Sequence, residues 1–120
     1  MNRAQKGIKA AINAAHFTNY SRYRVGAAIY IGNRLISIGW NQRKTHPKQR
    51  SIFRWTHAKM SAIIGTNKHD LTRSTIYVAR ITPGGDVKMA KPCIDCQRIL
   101  RAAGIKNIIF TDEQGRTRKL

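Results

Sequence analysis

The sequence predicts an α/β fold, a three-layer α/β/α sandwich, and three observations carry that expectation. Segments of helical and strand periodicity follow one another in the order α-β-β-α-β-α-β. A Gly32-Asn33 dipeptide joins the first two β-rich runs, and 120 residues suffice for one buried core but not for two. A sheet opened by a hairpin and continued through strand-helix-strand crossovers satisfies all three.

The first element is a helix over residues 3 to 16, with Ile8, Ala11, Ile12 and Ala15 on one face and a basic polar face opposite. Val25 to Ile31 and Arg34 to Trp40 read as strands, and Gly32-Asn33 tolerates the positive φ of a two-residue turn. Residues 41 to 56 are polar and basic, contain Pro47, and read as a long loop of the kind that often carries function. Met60, Ala62, Ile63 and Ile64 predict a short, mostly buried helix from His57 to a C-cap at Gly65. Thr75 to Arg80 is a β-branched and aromatic strand broken by Pro83-Gly84-Gly85. Helical spacing returns from Cys93 to Ala103, ahead of Gly104 and a last strand, Asn107 to Thr111. The basic tail, residues 113 to 120, is expected to fray, and residues 1 to 120 are expected to form a single domain.

Charge dominates the composition: 23 Lys+Arg against 5 Asp+Glu give +18 and a pI near 11.2. Such a surface seeks polyanions, with nucleic acid foremost and anionic membranes and nucleotide phosphates behind it; the bland alternative is a solvated basic face. Hydrophobic residues make up 42% but never form an 18-residue run, so neither a membrane partner nor a secretory leader is expected, and the protein should be soluble and cytoplasmic. Its two cysteines stand as Cys93-Ile94-Asp95-Cys96, a spacing that suits a metal or a redox pair in a reducing compartment rather than a secreted disulfide scaffold.

Cys93 and Cys96 fall in the first turn of a predicted helix, three residues apart on one face, where the positive helix end favours thiolates. Pro92 is acceptable there because an N–H at that position has no intrahelical partner. Alone, the pair reads equally as a thioredoxin-like redox couple or as small buried side chains. His57 opens the preceding predicted helix, and two helices on one sheet face can aim their N-termini at a common point. One His and two Cys then leave a fourth position open, as in catalytic rather than structural zinc sites. His16, His46 and His69 lie in no matching motif and read as surface histidines.

Thr56-His57-Ala58-Lys59 together with Pro92-Cys93-Ile94-Asp95-Cys96 resembles the H-x-E and P-C-x-x-C pair of the zinc-dependent cytidine/deoxycytidylate deaminase superfamily. Tyr20-Ser21-Arg22-Tyr23-Arg24-Val25-Gly26-Ala27-Ala28 is similar to the Y-S-x-F-x-V-G-A-A entry to the first strand of cytidine deaminases. Gly39-Trp40-Asn41 resembles the G-x-N of the deoxycytidylate and tRNA-adenosine branches. The resemblance spans residues 3 to 111 and implies the cytidine deaminase type of α/β/α sandwich, with Zn2+ held by His57, Cys93 and Cys96. It also implies a metal-activated water that attacks the base, which backbone groups near Ala58, Pro92 and Cys93 help to orient. Asn41 would hydrogen-bond the sugar or base edge, or else serve as a turn residue. Tyr23 and Trp55 would stack on a base or complete the core. The resemblance implies a homo-oligomer as well, although no residue pattern marks the interface.

Lys59 departs from the pattern, since the family's glutamate shuttles protons at that position. An ammonium has no lone pair to do so, and the chain as written is expected to be inactive. Two origins fit: a natural pseudoenzyme that keeps its binding site, or a selected or laboratory loss, which a single G-to-A transition would produce. The expected substrate is cytosine in single-stranded DNA or RNA, with Arg24, Arg43, Lys44, Lys48, Arg50 and Arg54 tracking phosphates and Trp40, Trp55, Tyr20 and Tyr23 offering stacking surfaces. The basic loop reads otherwise as a solvated segment. The rival substrates are a free cytosine nucleoside or nucleotide and, less in keeping with the N-terminal motif, adenine. A zinc-stabilised nucleic-acid binder without chemistry is the reading from another class.

Overall fold

A computed structural model describes residues 2–17, 24–41 and 71–120. In chain order the described elements are helix α1 (Arg3–Ala15), strands β1 (Arg24–Ile31), β2 (Arg34–Trp40), β3 (Ser74–Ile81) and β4 (Val87–Lys88), helix α2 (Ile94–Ala102), and strands β5 (Asn107–Thr111) and β6 (Thr117–Lys119). The strands form one mixed sheet in the order β2-β1-β3-β5-β6, with β4 paired to β3. The expected helix at His57–Gly65 lies outside the described residues.

Helix α1 starts on a capping box: the Asn2 side chain accepts from the Gln5 amide at 2.8 Å and the Gln5 side chain from the Asn2 amide at 3.0 Å. The β1–β2 hairpin forms as expected, and φ is positive at Gly32 (62°) but not at Asn33, the sign pattern of a type II′ turn. A bulge at Ile29/Tyr30 in this pairing keeps Leu35 opposite Tyr30. Helix α2 ends in a Schellman motif, in which Ile105 N–H donates to Leu100 at 3.1 Å and Gly104 N–H to Arg101 at 3.0 Å. Gly104 has φ 100°, which a side chain would oppose.

Strand alternation divides the core into two layers. Val25, Ala27, Ile29, Ile76, Val78, Ile108 and Phe110 face α2, where Leu100 fills the layer. Ala28, Tyr30, Tyr77 and Ala79 face α1, against Ile8 and Ala11. Tyr30 and Tyr77 meet edge to face at 5.6 Å, and burial raises the Tyr77 phenol above its ordinary value against the opposing charge of Arg3. Helices on both sheet faces make the expected three-layer α/β/α sandwich. Helix α1 lies so close to β1 that a Cβ on Gly26 would land on the carbonyl oxygen of Ala11 and the amide nitrogen of Ala15. Buried Ala11, Ala14 and Ala15 present the matching small surface on the helix.

The tail departs from expectation. Thr117–Lys119 pairs antiparallel with β5 instead of fraying, and Leu120 N–H donates to Ile108 at 2.9 Å. Asp112 is the latch: Oδ1 accepts from the amides of Gln114 (2.9 Å) and Arg116 (2.8 Å), and Oδ2 from Arg118 Nε at 2.9 Å. Burial pushes this carboxyl up, but the Arg116 and Gln114 amides and the Arg118 guanidinium outweigh it and hold it below the ordinary 3.8.

Two outcomes follow from this packing. Gly26→Ala should lower the urea midpoint by the equivalent of about 1–3 kcal/mol, because backbone atoms rather than a flexible side chain must give way. Since folding lowers the Asp112 pKa, its contribution is complete above 3.8 and is lost as acid protonates the folded carboxyl. Asp112→Asn should therefore remove part of the acid sensitivity seen in urea titrations across the acid range. An unchanged acid slope would place that sensitivity elsewhere.

Candidate active site

The register gathers one rim of the sheet. Gly26 lies opposite Trp40, Arg24 opposite Ile81, and β5 runs parallel to β3. The start of β1 and the carboxyl ends of β2, β3 and β5 therefore share an edge, and in α/β sheets ligands bind outside the carboxyl ends of the strands.

The thiol pair arrives at this rim. After β4, Ala90 N–H donates to the Thr111 carbonyl at 2.9 Å, and Thr111 Oγ1 donates to the Lys88 carbonyl at 2.7 Å. These bonds tie the β4–α2 connection to the end of β5. Cys93 is the N-cap of α2, extended at φ −65° and ψ 165° and making no side-chain capping bond; Cys96, in the first turn, is buried. Neither cysteine is in a disulfide. Pro92 stands one residue before the cap, outside the helix, and its carbonyl accepts from Gln97 Nε2 at 2.8 Å. Two thiols at the positive end of a helix, one exposed and one buried, suit a metal such as zinc. Among the described residues no third His, Cys, Asp or Glu joins them in a metal-ligating group.

Asn41 closes β2 onto β1: its Oδ1 accepts from the Val25 amide at 3.0 Å, and its own amide donates to the Val25 carbonyl at 3.2 Å. It is buried at the rim, where these bonds join the two strand ends. Arg24 begins β1, with its Nε buried and, among the described residues, without a hydrogen-bond partner. His16 is the exposed C-cap of α1.

His57, Ala58, Lys59, Tyr23, Trp55, Arg43, Lys44, Lys48, Arg50 and Arg54 lie outside the described residues, as do Tyr20, His46 and His69. Of the expected site, the structure thus brings Asn41, Arg24, Pro92, Cys93 and Cys96 to one rim. Phe17, whose ring meets Trp40 at 5.1 Å, was not singled out by the sequence. On the far side of the β4–α2 connection a recess of about 320 Å³ is lined by Met89, Lys91, Phe110, Asp112 and Arg118. Its buried carboxylate is already engaged by the β5–β6 turn.

The described part is a three-layer mixed-sheet domain that delivers a Cys-x-x-Cys pair to the carboxyl rim. The cytidine and deoxycytidylate deaminase zinc-binding region matches residues 1–112, and the chain belongs to that family. Among solved structures, the cytidine deaminase of Burkholderia pseudomallei is similar, with TM-score 0.73 and 20% identity over 100% of this chain and 92% of that one. The dCMP deaminase of cyanophage S-TIM5 in its apo form has TM-score 0.69 and 21% identity over 94% and 86%. The cytidine deaminase of Mycobacterium tuberculosis has TM-score 0.62 and 20% identity over 99% and 91%. At these identities the likeness is one of fold. No curated protein matches the chain significantly in sequence.

Because the Asn41 acceptor satisfies a buried amide, Asn41→Ala should cost about 1–3 kcal/mol in chemical denaturation. Asn41→Asp keeps the acceptor and should recover most of that loss. Equal destabilisation by both would show that the Val25 contact is not what holds the strand end.

Proposed function

We propose that this chain is a zinc-binding scaffold for hydrolytic deamination of cytosine to uracil, with His57, Cys93 and Cys96 as the metal ligands and Lys59 leaving it inactive as it stands. The observation that carries this reading is the Cys93/Cys96 pair at the amino end of α2, on the rim that also holds Asn41. Zinc bound there would supply a Lewis acid and an activated water. The chain's own residues supply the rest. The amino end of α2 lowers the cost of two thiolates. Asn41, held at the rim by its bonds to Val25, would hydrogen-bond the sugar or base edge. Lys59 stands where a carboxylate would take and return a proton, and a protonated amine cannot accept one. Loss of a general base costs about 10²–10⁴ in rate.

The substrate we propose is cytosine within single-stranded nucleic acid, supported by the +18 charge. A polynucleotide can neutralise such a surface, whereas a mononucleotide offers one phosphate. A second reading, a free cytidine or deoxycytidylate deaminase, is favoured by the relatives' own substrates. One structure of the cyanophage enzyme holds dCMP and dUMP. On either reading we expect residues 1–120 to act as a single domain. Among the described residues no helix is long and apolar enough to cross a membrane.

The decisive comparison is this chain against Lys59→Glu on single-stranded oligonucleotides, cytidine and dCMP, with bound zinc quantified. The glutamate form should gain at least about 10²–10⁴ in rate and prefer the oligonucleotide. Cys96→Ser should lower the zinc content of either form. If both forms hold zinc and neither converts cytosine, the deaminase reading fails and the chain is a nucleic-acid binder on this fold.

A further inference from the structure

At the carboxyl rim, on the α1 side of the sheet, stands a group that the reading above leaves unused. Phe17 follows the C-cap of α1, where its amide donates to the Ala14 carbonyl at 3.0 Å. The residue is 62% exposed, yet its ring rests against Trp40 at 5.1 Å between centroids with a 36° tilt. Trp40 lies opposite Gly26 in the β1–β2 register and immediately precedes Asn41. It therefore shares the α1-side face of β1 with Gly26, and Arg24, two residues before Gly26, falls on that face by strand alternation. Among the described residues Arg24 Nε is buried without a hydrogen-bond partner. In the sequence no Asp or Glu precedes Asp70, so α1, β1 and β2 offer this guanidinium no carboxylate.

A largely exposed ring whose amide is held by a hydrogen bond, backed by an indole and accompanied by an arginine on the same face, is a platform for a base and its phosphate. Base–aromatic stacking tolerates any base, because every base presents a π-face, and arginine adds a phosphate or cation–π contact.

We propose that Phe17 and Trp40 form a stacking subsite for the nucleotide adjacent to the target cytosine in a single strand, and that Arg24 binds that nucleotide's phosphate. The inference rests on the polynucleotide reading and deepens it, since a free nucleotide has no neighbouring base to stack. It also gives specificity a location: the subsite adds affinity for a strand without touching the base that reacts. Trp40 acts from beneath, holding Phe17 in place, while Phe17 carries the exposed face.

The test measures binding of a short fluorescent oligodeoxynucleotide with one central cytosine, and of dCMP, to this chain, to Phe17→Ala and to Arg24→Gln. Phe17→Ala removes an exposed ring and should leave thermal stability unchanged. It should weaken oligonucleotide binding about 5- to 100-fold, in line with the stacking of one base, and change dCMP binding less than about 2-fold. Arg24→Gln should weaken the oligonucleotide too and reduce the slope of log affinity against log salt by about one. If the unaltered chain binds the oligonucleotide no tighter than dCMP, the polynucleotide reading and this subsite fall together. If it prefers the oligonucleotide but Phe17→Ala keeps that preference, the subsite alone is overturned. Conversion of a dimer to a monomer by Phe17→Ala in sedimentation of the free protein would likewise overturn it, the ring then belonging to contact with a second copy.

Discussion

Parallel neighbours in a sheet cannot be joined by a tight turn; the chain must cross from the end of one strand to the start of the next. Strands β3 and β5 are such a pair, and much of the site's placement follows from their pairing. The connection leaves β3 through the Thr82–Asp86 turn, doubles back as β4, and is pinned to the end of β5 by the two hydrogen bonds between Thr111 and the Lys88–Ala90 segment. Helix α2 can then begin only at the carboxyl rim, with Cys93 as its cap. The Schellman turn at Gly104 returns the chain to the opposite edge in time for Asn107 to start β5.

The other layer reaches the same rim by a different route. Small residues on both sides, Gly26 and Ala28 on β1 and Ala11, Ala14 and Ala15 on α1, let helix and sheet approach closely. That approach carries the end of α1, and Phe17 with it, over Trp40. Asn41 locks the end of β2 to the start of β1 with paired hydrogen bonds, so both strand ends hold their position at the rim. The Cys93/Cys96 pair and the Phe17/Trp40 pair thus belong to opposite helical layers that meet at one edge.

On the function proposed above, Lys59 would separate two properties that family membership otherwise joins. Fold, thiol pair and rim geometry do not depend on a proton-accepting side chain, whereas turnover does. On that reading the chain would keep its rim and its strongly basic surface while lacking the group that moves protons. Binding and catalysis are then distinct measurements on this scaffold, and a silent enzyme need not be a non-binding one.

What the sequence by itself determined is what local chemistry controls. The β1–β2 hairpin follows from Gly32-Asn33 between β-branched runs, the end of α2 from Gly104, and the Cys93/Cys96 spacing on one helical turn from residues only three apart. The Asn2/Gln5 capping box was not singled out, although an N-cap side chain and an N3 glutamine stand at the required spacing. Strand β6 was not legible, because its three residues are all exposed and carry no alternation. It forms because Asp112, buried by its surroundings, collects the amides and the guanidinium of the turn that follows. The exposure of Phe17, the structural duty of Asn41 and the shared rim of Asn41 and Cys93 were also decided only by the tertiary structure. Each depends on contacts between residues well separated in the sequence, 16 apart for Val25 and Asn41 and more for Asn41 and Cys93, which are selected by burial of the whole core rather than by local preference alone.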